Sequence, residues 1–453
     1  MAGDNPIRFL IIGGGPAGTM AATVAASLGA EVTLVESSII GGAAHLWDCI
    51  PSKTMVASSI RMNSIRNAEK LGFAADQSPV DLRRLSARMD RIATDLSENT
   101  SEVLEDQGVR LIHGRGRFTG PNSAIASTDD GEIELAFDIA LISTGSAPRV
   151  PDWATVDGKR ILTTRDAYHL GDIPEHMIVV GSGVTGVEFV SIFASMGAKV
   201  SLLVSRQQVL PYRDAEVAAA LEEDFLERGV RLLKGARAIA AEVSDSGVVI
   251  TADDGRTVAG SHALLAIGSV PLTSGLDLAA AGVETDHGYV PVDEFQRTNV
   301  PHIYAAGDVT GKLPLSSVAS MQGRKLAKHA LGFQVKPIDY SKVAQAIFAE
   351  PEIASVGLEE ADVAAAGRRI RSTKVPFASN SRSVIQGQER GFVKLYSDPA
   401  THEVLGGTIV GHRASELIGI LALAVQGRLH VETLVETLMV HPSLSESLTE
   451  AAD

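Results

Sequence analysis

Short apolar runs separated by longer helical stretches fill the first two thirds of the chain. Residues 8–12 and 31–35 enclose an alanine-rich stretch, and residues 177–180 and 200–204 enclose an apolar one. Apolar runs of about four to eight residues are typical of buried strands, and the longer stretches between them are typical of helices. The pattern predicts two β-α-β units and an α/β fold.

Other segments carry different patterns. Residues 82–106 predict a long, charged amphipathic helix, and residues 114–118 with the acid-rich stretch near Asp129 predict a β-meander. Residues 417–425 are apolar but shorter than the ~20 residues of a membrane span, so they predict a buried helix. From about residue 337 the chain alternates helices with strands predicted at 344–348, 393–396 and 404–410. This last part has no nucleotide fingerprint and is expected to be a substrate or interface domain.

The first β-α-β unit has glycines at its first turn. Gly13 permits the tight turn, Gly15 lets the backbone approach a pyrophosphate, and Gly18 allows close helix-on-strand packing. The helix N-terminus that follows favours phosphate, and Glu36 at the end of the second strand can accept from a ribose hydroxyl. The unit is therefore predicted to bind a dinucleotide.

A second fingerprint, with Gly181, Gly183 and Gly186, differs at the ribose position. The second strand ends in Val204-Ser205-Arg206, where an NAD-selective fold would place an acid. Arg206 can pair with a 2′-phosphate and Ser205 can hydrogen-bond it, so NADPH is expected to be accepted as well as NADH. The alternative is an ordinary surface arginine.

Two later apolar strands, predicted at residues 141–144 and 264–267, each close on Gly-Ser-x-Pro, which begins at Gly145 and at Gly268. Two fingerprints, each trailed by such a strand, predict two bound nucleotides. Residues 303–308 then deliver Asp308 beside a helix that begins near Ser316. This placement suits a flavin, because Asp308 can take ribitol hydroxyls and the helix dipole can stabilise negative charge on the ring.

Composition narrows the partners. The formal charge is −15, from 40 basic and 55 acidic residues, so there is no electrostatic footprint for nucleic acid or anionic membrane. The only cysteine, Cys49, excludes an intramolecular disulfide, and the first residues do not resemble a secretion signal. A cytoplasmic protein with small-molecule ligands is expected.

Jointly, these motifs resemble the flavin-dependent pyridine nucleotide-disulphide oxidoreductases, the group that includes dihydrolipoyl dehydrogenase and glutathione reductase. The resemblance also rests on Gly41-Gly42, Cys49-Ile50-Pro51-Ser52-Lys53, Ser143-Thr144-Gly145, residues 351–357, and His441-Pro442-Ser443 with Glu446. It implies FAD, NADPH or NADH, and a homodimer. It also implies an FAD domain (1–150 and 271–335), an NAD(P) domain (151–270) and a C-terminal α+β dimerisation domain (336–453).

The resemblance also implies roles for particular residues. Lys53 would lie near the flavin N5 and pair with Glu188, and the His441–Glu446 pair would complete the active site of the partner subunit. The residues that would hold FAD are Gly13, Gly15, Gly18, Glu36, Gly42, Lys53, the backbone of Arg115, Thr144, Gly145, Asp308 and Ser316. The residues that would hold the nicotinamide nucleotide are Gly181, Gly183, Gly186, Ser205, Arg206 and Gly268.

One departure from the family decides the expected reaction. The disulphide reductases carry Cys-x4-Cys, and the first cysteine would fall at position 44, which is Ala44 here. Electrons are therefore expected to leave the flavin directly, to a quinone or similar small aromatic acceptor that His45 and Trp47 can stack against. A thiolate at Cys49 would need a lowered pKa, for which the nearby helix N-terminus and Lys53 give a physical reason.

Three functions remain open from the sequence. The preferred hypothesis is an NAD(P)H:quinone oxidoreductase in which His441 supplies a proton. A soluble pyridine nucleotide transhydrogenase is the first alternative, because such enzymes also lack an intact cysteine pair. A non-catalytic redox-sensing flavoprotein is the second.

Overall fold

The chain forms two compact units in a computed structural model that describes residues 6–66, 68–72, 80–245, 247–359, 362, 367 and 369–453. The first unit comprises Met1–Thr54, Arg84–Arg149 and Ser269–Ile338. The second comprises Met55–Arg83, Val150–Gly268 and Asp339–Asp453.

The helices and strands of the described residues follow in chain order. The N-terminal third contains β1 (Arg8–Ile12), α1 (Pro16–Ser27), β2 (Glu31–Glu36), α2 (Ile50–Arg66), α3 (Leu82–Asp106), β3 (Arg110–His113), β4 (Arg115–Gly120), β5 (Ser123–Thr128), β6 (Gly131–Ala136), β7 (Ile139–Ile142) and β8 (Ser146–Pro148). The middle contains β9 (Ile161–Thr163), β10 (His176–Val180), α4 (Val184–Met196), β11 (Lys199–Val204), α5 (Ala215–Glu227), β12 (Arg231–Lys234), β13 (Ala238–Ser244), β14 (Gly247–Ala252), β15 (Thr257–Gly260) and β16 (His262–Leu265). The rest contains β17 (Ser269–Pro271), β18 (Ile303–Ala305), α6 (Ser316–Ala330), β19 (Gln345–Ile347), β20 (Ile353–Gly357), β21 (Arg371–Pro376), α7 (Ser381–Gln386), β22 (Phe392–Ser397), β23 (Val404–Val410), α8 (Ala414–Gly427), α9 (Val431–Val435) and α10 (Glu446–Ala452).

A parallel sheet organises the first unit. Its described strands run in the order β18-β7-β1-β2-β3, and all neighbours are parallel. Both faces of this sheet are buried, as is typical of parallel sheets: Phe9 and Leu10, neighbours on β1 whose side chains point to opposite faces, are both buried. On one face α1 packs so closely on α6 that a Cβ at Gly323 would overlap the carbonyl oxygen of Ala17. The antiparallel meander β4-β5-β6 contributes to the core on the other face.

The second unit contains a parallel and an antiparallel sheet. The parallel sheet runs β12-β11-β10-β16-β9 among the described residues, and the β13-β14-β15 meander shares its core. The sheet at the C-terminus is antiparallel in the order β19-β20-β23-β22-β21. The predicted α/β fold with two Rossmann-like sheets and a C-terminal α+β part is confirmed.

Helix α8 corrects one sequence expectation. Residues 417–425 were expected to be a buried helix, and they are helical, but Leu423 is 68% exposed. The buried side chains Ile418, Leu421, Ala424 and Val425 recur at one helical face, so this segment covers the sheet on one side only. None of the described helices combines the length and apolar character that a membrane crossing requires.

Two other boundaries also differ from the sequence pattern. The apolar strands expected at 141–144 and 264–267 end earlier, at Ile142 and Leu265. The next residues leave the ladder because their backbone turns toward the glycines Gly145 and Gly268, which have φ values of +73° and +97°. Positive φ at these glycines is incompatible with strand geometry.

Buried polar contacts tie distant segments of the second unit together. Lys394 on β22 is buried and its Nζ lies 2.6 Å from Oδ2 of Asp214, the N-cap residue of α5. Asn63 on α2 donates to Oε1 of Glu350 at 2.5 Å. Burial raises the pKa of Glu350 despite this hydrogen bond.

Candidate functional site

The first glycine turn contains two glycines that the protein's own packing demands. Gly13 has φ +108°, and a Cβ there would overlap the carbonyl oxygen of Ser143. A Cβ at Gly18 would overlap the carbonyl oxygen of Gly13. Ser143 fixes this arrangement because its Oγ donates to the Gly13 carbonyl at 2.8 Å. The turn therefore brings the start of α1 directly against the ends of β1 and β7.

Gly15 is different, because packing does not require it. It is the N-cap residue of α1 with φ −70°, and no protein atom would lie within 4 Å of an added Cβ. The cap makes no side-chain hydrogen bond, so the helix N-terminus presents backbone N–H groups beside this space. We call this open space at the N-terminus of α1 the first cradle. It fits a pyrophosphate, because a helix N-terminus binds anions.

Glu36 is held in place at the end of β2. Its Oε2 accepts from the Gly14 N–H at 2.6 Å, and its Oε1 accepts from the Ser38 N–H at 2.8 Å. The carboxylate keeps further lone pairs that ribose hydroxyls can use. The Gly114 N–H donates to the Glu36 carbonyl at 2.8 Å, which places the exposed Arg115 next to the same strand end.

The loop after β2 returns to the glycine turn. The Gly41 N–H donates to the Gly14 carbonyl at 2.8 Å. Gly42 has φ +56°, and a Cβ there would lie 3.0 Å from the Gly15 Cα. Gly42 thus lies against the cradle, as expected for a residue that contributes to it.

A single π-helical turn, Ala44–Asp48, follows this glycine pair. The Cys49 N–H donates to the Ala44 carbonyl at 3.3 Å, which closes an i to i+5 ring. Turns of this kind are rare and occur frequently at functional sites. The turn joins the backbone of position 44 to that of Cys49, so the two ends of the Cys-x4-Cys spacing meet although only one carries a thiol.

The environment of Cys49 contradicts the expectation of an activated thiolate. Burial raises the pKa of Cys49, and the smaller opposing effects of the Ser316 hydrogen bond and the Lys53 charge do not reverse this. Its Sγ lies 3.0 Å from Oγ of Ser316, the first residue of α6. The balance of these effects favours the protonated thiol. Ser316, expected among the flavin-binding residues, contacts this sulfur.

Lys53 and Glu188, both expected near the flavin ring, lie in different units, and each has its own local contacts. Lys53 is half-buried in the first turn of α2, and its Nζ lies 3.4 Å from Oγ of Ser52. Its expected partner Glu188 is buried on α4 of the other unit, where its Oε1 accepts from the Phe348 N–H at 2.9 Å. The Lys53–Glu188 pairing stays a prediction.

Two aromatic side chains lie in the π turn. The His45 ring covers Gly41, since a Cβ on that glycine would overlap it, and burial lowers the pKa of His45. Burial therefore favours the neutral form of the His45 imidazole. Trp47 is half-buried. Its role with Trp47 in stacking an acceptor stays a prediction.

Asp308 is oriented by a serine that sequence reasoning did not single out. Asp308 follows β18 and its Oδ2 accepts from Oγ of Ser146 at 2.8 Å. Thr144 donates from Oγ1 to the Leu272 carbonyl at 2.7 Å, and Leu272 N–H returns a bond to Gly145 at 3.0 Å. These contacts place Asp308, Thr144 and Gly145 at the carboxyl edge of the first sheet.

The second unit repeats the glycine geometry. Gly181 has φ +110° and a Cβ there would overlap the Ala266 carbonyl oxygen, while a Cβ at Gly186 would overlap the Gly181 carbonyl oxygen. Gly183 is the N-cap of α4 with φ −75°, and no protein atom lies within 4 Å of its added Cβ. Both turns thus present the same open cradle. Gly268 has open space around it as well.

The carboxyl end of β11 is cationic and lacks an acid. Ser205 and Arg206 are both exposed there. Within the described part of the chain, the Arg206 guanidinium makes no hydrogen bond or ion pair. Arg206 is therefore available to a 2′-phosphate, although its role stays a prediction.

The C-terminal pair has the geometry expected for an oriented imidazole. His441 Nδ1 lies 2.8 Å from Oε1 of Glu446, and Oε2 of Glu446 accepts from the Ser443 N–H at 2.8 Å. The Ser443 N–H and then His441 lower the pKa of Glu446. With Glu446 ionised, Nδ1 carries the proton and Nε2 is left free. The His441 side chain is 72% exposed in this chain.

Comparison with known proteins gives a consistent result. The sequence profile described as pyridine nucleotide-disulphide oxidoreductase matches residues 7–323, and that of the family's dimerisation domain matches residues 343–452. The chain is 45% identical to an NAD(P)H dehydrogenase (quinone) of Mycobacterium tuberculosis, over 98% of this chain and 93% of the relative. It is 35% identical to a dihydrolipoyl dehydrogenase of Chlorobaculum tepidum, over 98% and 95% of the two chains.

Solved structures agree with the fold. LpdA from Mycobacterium tuberculosis superposes with a TM-score of 0.94 at 45% identity, covering 98% of this chain and 99% of that one. The HOCl-induced flavoprotein disulfide reductase RclA from Escherichia coli superposes with a TM-score of 0.89 at 26% identity, covering 98% and 99%.

Proposed function

Because the chain belongs to the pyridine nucleotide-disulphide oxidoreductase family, we propose that it is an FAD-dependent NAD(P)H dehydrogenase whose acceptor is a quinone or similar small aromatic molecule. The observation that carries this proposal is the π turn in which Ala44, not a second cysteine, lies opposite Cys49. A disulfide relay needs two sulfurs, and this chain has one. The printed name of the Mycobacterium tuberculosis relative supports the same reaction.

FAD, when bound, supplies the two-electron chemistry between the nicotinamide and the acceptor. The first cradle supports this cofactor, with Gly15 at its pyrophosphate, Glu36 at its adenosine ribose and Asp308 at its ribitol. The remaining proposed contacts come from Gly13, Gly18, Gly42, Lys53, Arg115, Thr144, Gly145 and Ser316. Lys53 would place a positive charge near the flavin ring and would so favour the negatively charged form of the ring.

The nicotinamide nucleotide belongs in the second cradle. Gly183 supplies the open N-terminus of α4, with Gly181, Gly186 and Gly268 around it. Ser205 and Arg206 favour NADPH, and no carboxylate at the end of β11 selects NADH. We expect both nucleotides to be used, with NADPH preferred.

His441 is the proposed proton donor. Reduction of a quinone to a hydroquinone takes two electrons and two protons. The hydride from NAD(P)H accounts for both electrons and one proton, so a second proton is needed. Glu446 holds the imidazole through Nδ1, which leaves Nε2 to carry the second proton to an acceptor oxygen. The family's dimerisation profile supports a homodimer in which this pair serves the partner's flavin.

Stopped-flow spectroscopy tests the proposal. The purified enzyme is reduced anaerobically with one equivalent of NADPH, then mixed with a soluble quinone or with NAD⁺, and flavin reoxidation is followed. We expect the quinone to reoxidise it faster. Rapid reoxidation by NAD⁺ alone would identify a transhydrogenase, which the missing acid after β11 also permits. Absence of turnover with every quinone tried would favour a redox-sensing flavoprotein.

A further inference from the structure

A second exposed arginine lies at the nucleotide edge of the second unit. Arg237 follows β12, as Arg206 follows β11. Its backbone N–H donates to Oδ1 of Asp253 at 3.1 Å. Its guanidinium, like that of Arg206, has no hydrogen bond or ion pair with any residue that the structure describes. No sequence motif marks this residue.

The backbone brings the two arginines to the same place. Strands β11 and β12 are parallel neighbours with Val204 in register with Lys234. Beyond the strands the pairing continues, because the Gly235 N–H donates to the Arg206 carbonyl at 2.9 Å and the Ala236 N–H donates to the Val204 carbonyl at 3.1 Å. Adjacent parallel strands lie about 4.8 Å apart, and Arg237 lies two residues beyond the Gly235 that pairs with Arg206, so both side chains start from the same edge of the sheet.

Neighbouring cations are already neutralised. Lys234 pairs with Glu222, and Arg256 pairs with Asp254 at 2.6 Å. Arg256 also donates to the Lys234 carbonyl at 2.8 Å. Even with the Asp253 carboxylate on the Arg237 backbone N–H, the two unpaired guanidinium groups leave a net positive charge at this edge, in a chain whose formal charge is −15. A local positive charge of this kind attracts anionic ligands.

We propose that Arg237 joins Arg206 to bind the 2′-phosphate of NADPH and so sets the preference for the phosphorylated nucleotide. The inference rests on the proposed function, because it assumes that the second cradle holds the nicotinamide nucleotide. In this fold the adenosine ribose lies at the end of the second strand, here β11. A phosphate at its 2′ position carries nearly two negative charges and accepts from guanidinium groups in pairs.

Binding of nucleotide fragments tests the pair without relying on activity. Titration calorimetry on FAD-loaded protein compares adenosine 2′,5′-bisphosphate with AMP for wild type, Arg206→Ala, Arg237→Ala and the double variant. We expect Arg237→Ala to weaken bisphosphate binding about tenfold and to leave AMP unchanged, and the double variant to lose most discrimination. Arg231→Ala is the matched control, because Arg231 is exposed at the opposite end of β12.

The outcomes separate this inference from the proposed function. Equal bisphosphate binding by Arg237→Ala and wild type, at the same ionic strength, would overturn the role of Arg237. Equal binding of both fragments by wild type would overturn the 2′-phosphate site as a whole. The remaining outcome is a wild type that prefers the bisphosphate to AMP through Arg237 but reduces no quinone. That result would support this inference and contradict the proposed acceptor.

Discussion

Replacing Gly15 with alanine separates cofactor binding from folding. The added methyl group would meet no protein atom within 4 Å, and φ −70° is allowed for alanine. Alanine restricts the unfolded chain, which stabilises by about 0.4–1 kcal/mol, but it is a poorer N-cap residue than glycine by about 1 kcal/mol. These effects oppose each other, so the free energy of unfolding of the apoprotein should change by less than about 1 kcal/mol.

The effect on FAD should be much larger. The methyl group would occupy the cradle and move the pyrophosphate away from the N–H groups at the start of α1. Loss of a hydrogen bond to a charged group costs about 1.5–3 kcal/mol, which is about 10- to 150-fold in Kd. Flavin fluorescence on titration of apoprotein measures this Kd, and urea unfolding of the same apoprotein measures its stability.

Gly183→Ala is the matched control, since Gly183 has the same N-cap position and the same open space in the second cradle. We expect this variant to bind FAD normally and to lose reduction by NADPH. Gly18→Ala should instead destabilise the fold, because its Cβ overlaps the Gly13 carbonyl. An unchanged FAD Kd in a folded Gly15→Ala protein would refute the pyrophosphate assignment.

Three further predictions follow from the buried groups. Cys49→Ser should keep the rate of quinone reduction within about threefold of wild type while altering the flavin spectrum. In the wild type, Cys49 should react slowly with iodoacetamide near neutral pH, because burial raises the pKa of the thiol. Lys394→Met should lower the free energy of unfolding by about 3–5 kcal/mol, because the buried Asp214 carboxylate loses its cationic partner and keeps hydrogen bonds such as that from the Glu216 N–H. Lys374→Met, at an exposed pair, should change the free energy of unfolding by less than about 1 kcal/mol. Urea unfolding measures both. Burial raises the pKa of Glu350 in the folded state above its ordinary value of 4.5, so the stability that its protonated form contributes is fully present below pH 4.5 and is lost as pH rises through the folded pKa. Glu350→Gln should make the free energy of unfolding, measured by urea unfolding at several pH values, depend less on pH over this range. An unchanged pH profile would contradict the raised pKa.

The sequence predicted those parts of the fold that depend on local periodicity. Strand 8–12, helix 82–106 and strand 404–410 were predicted with the bounds that the structure has. Each has a clear apolar pattern between turn residues, so short-range sterics determine its limits. Leu423 is an exception, because the sequence shows how apolar a helix is but not which of its faces the tertiary fold covers.

The site could be predicted only where a motif marks it. The glycine turns have fixed spacings, and their conformations follow from the absence of a Cβ. The contact of Cys49 with Ser316 joins residues 267 positions apart, and that of Ser146 with Asp308 joins residues 162 apart. No local pattern encodes such contacts. The raised pKa of Cys49 has the same origin, because burial, which outweighs the lowering effect of Lys53, involves segments distant in sequence such as the start of α6.

The interleaving of the first sheet also constrains when this protein can mature on the ribosome. Strand β18 completes the edge of that sheet, and α6 covers α1, yet both come after residue 300. The sheet of β9–β12 and β16 lies within one continuous stretch and can close while synthesis continues. The β7 edge of the first sheet therefore has no β18 to pair with until the segment beyond residue 300 has been synthesised. We expect chaperone protection to matter most during that interval and, under the proposed function, flavin binding to follow it.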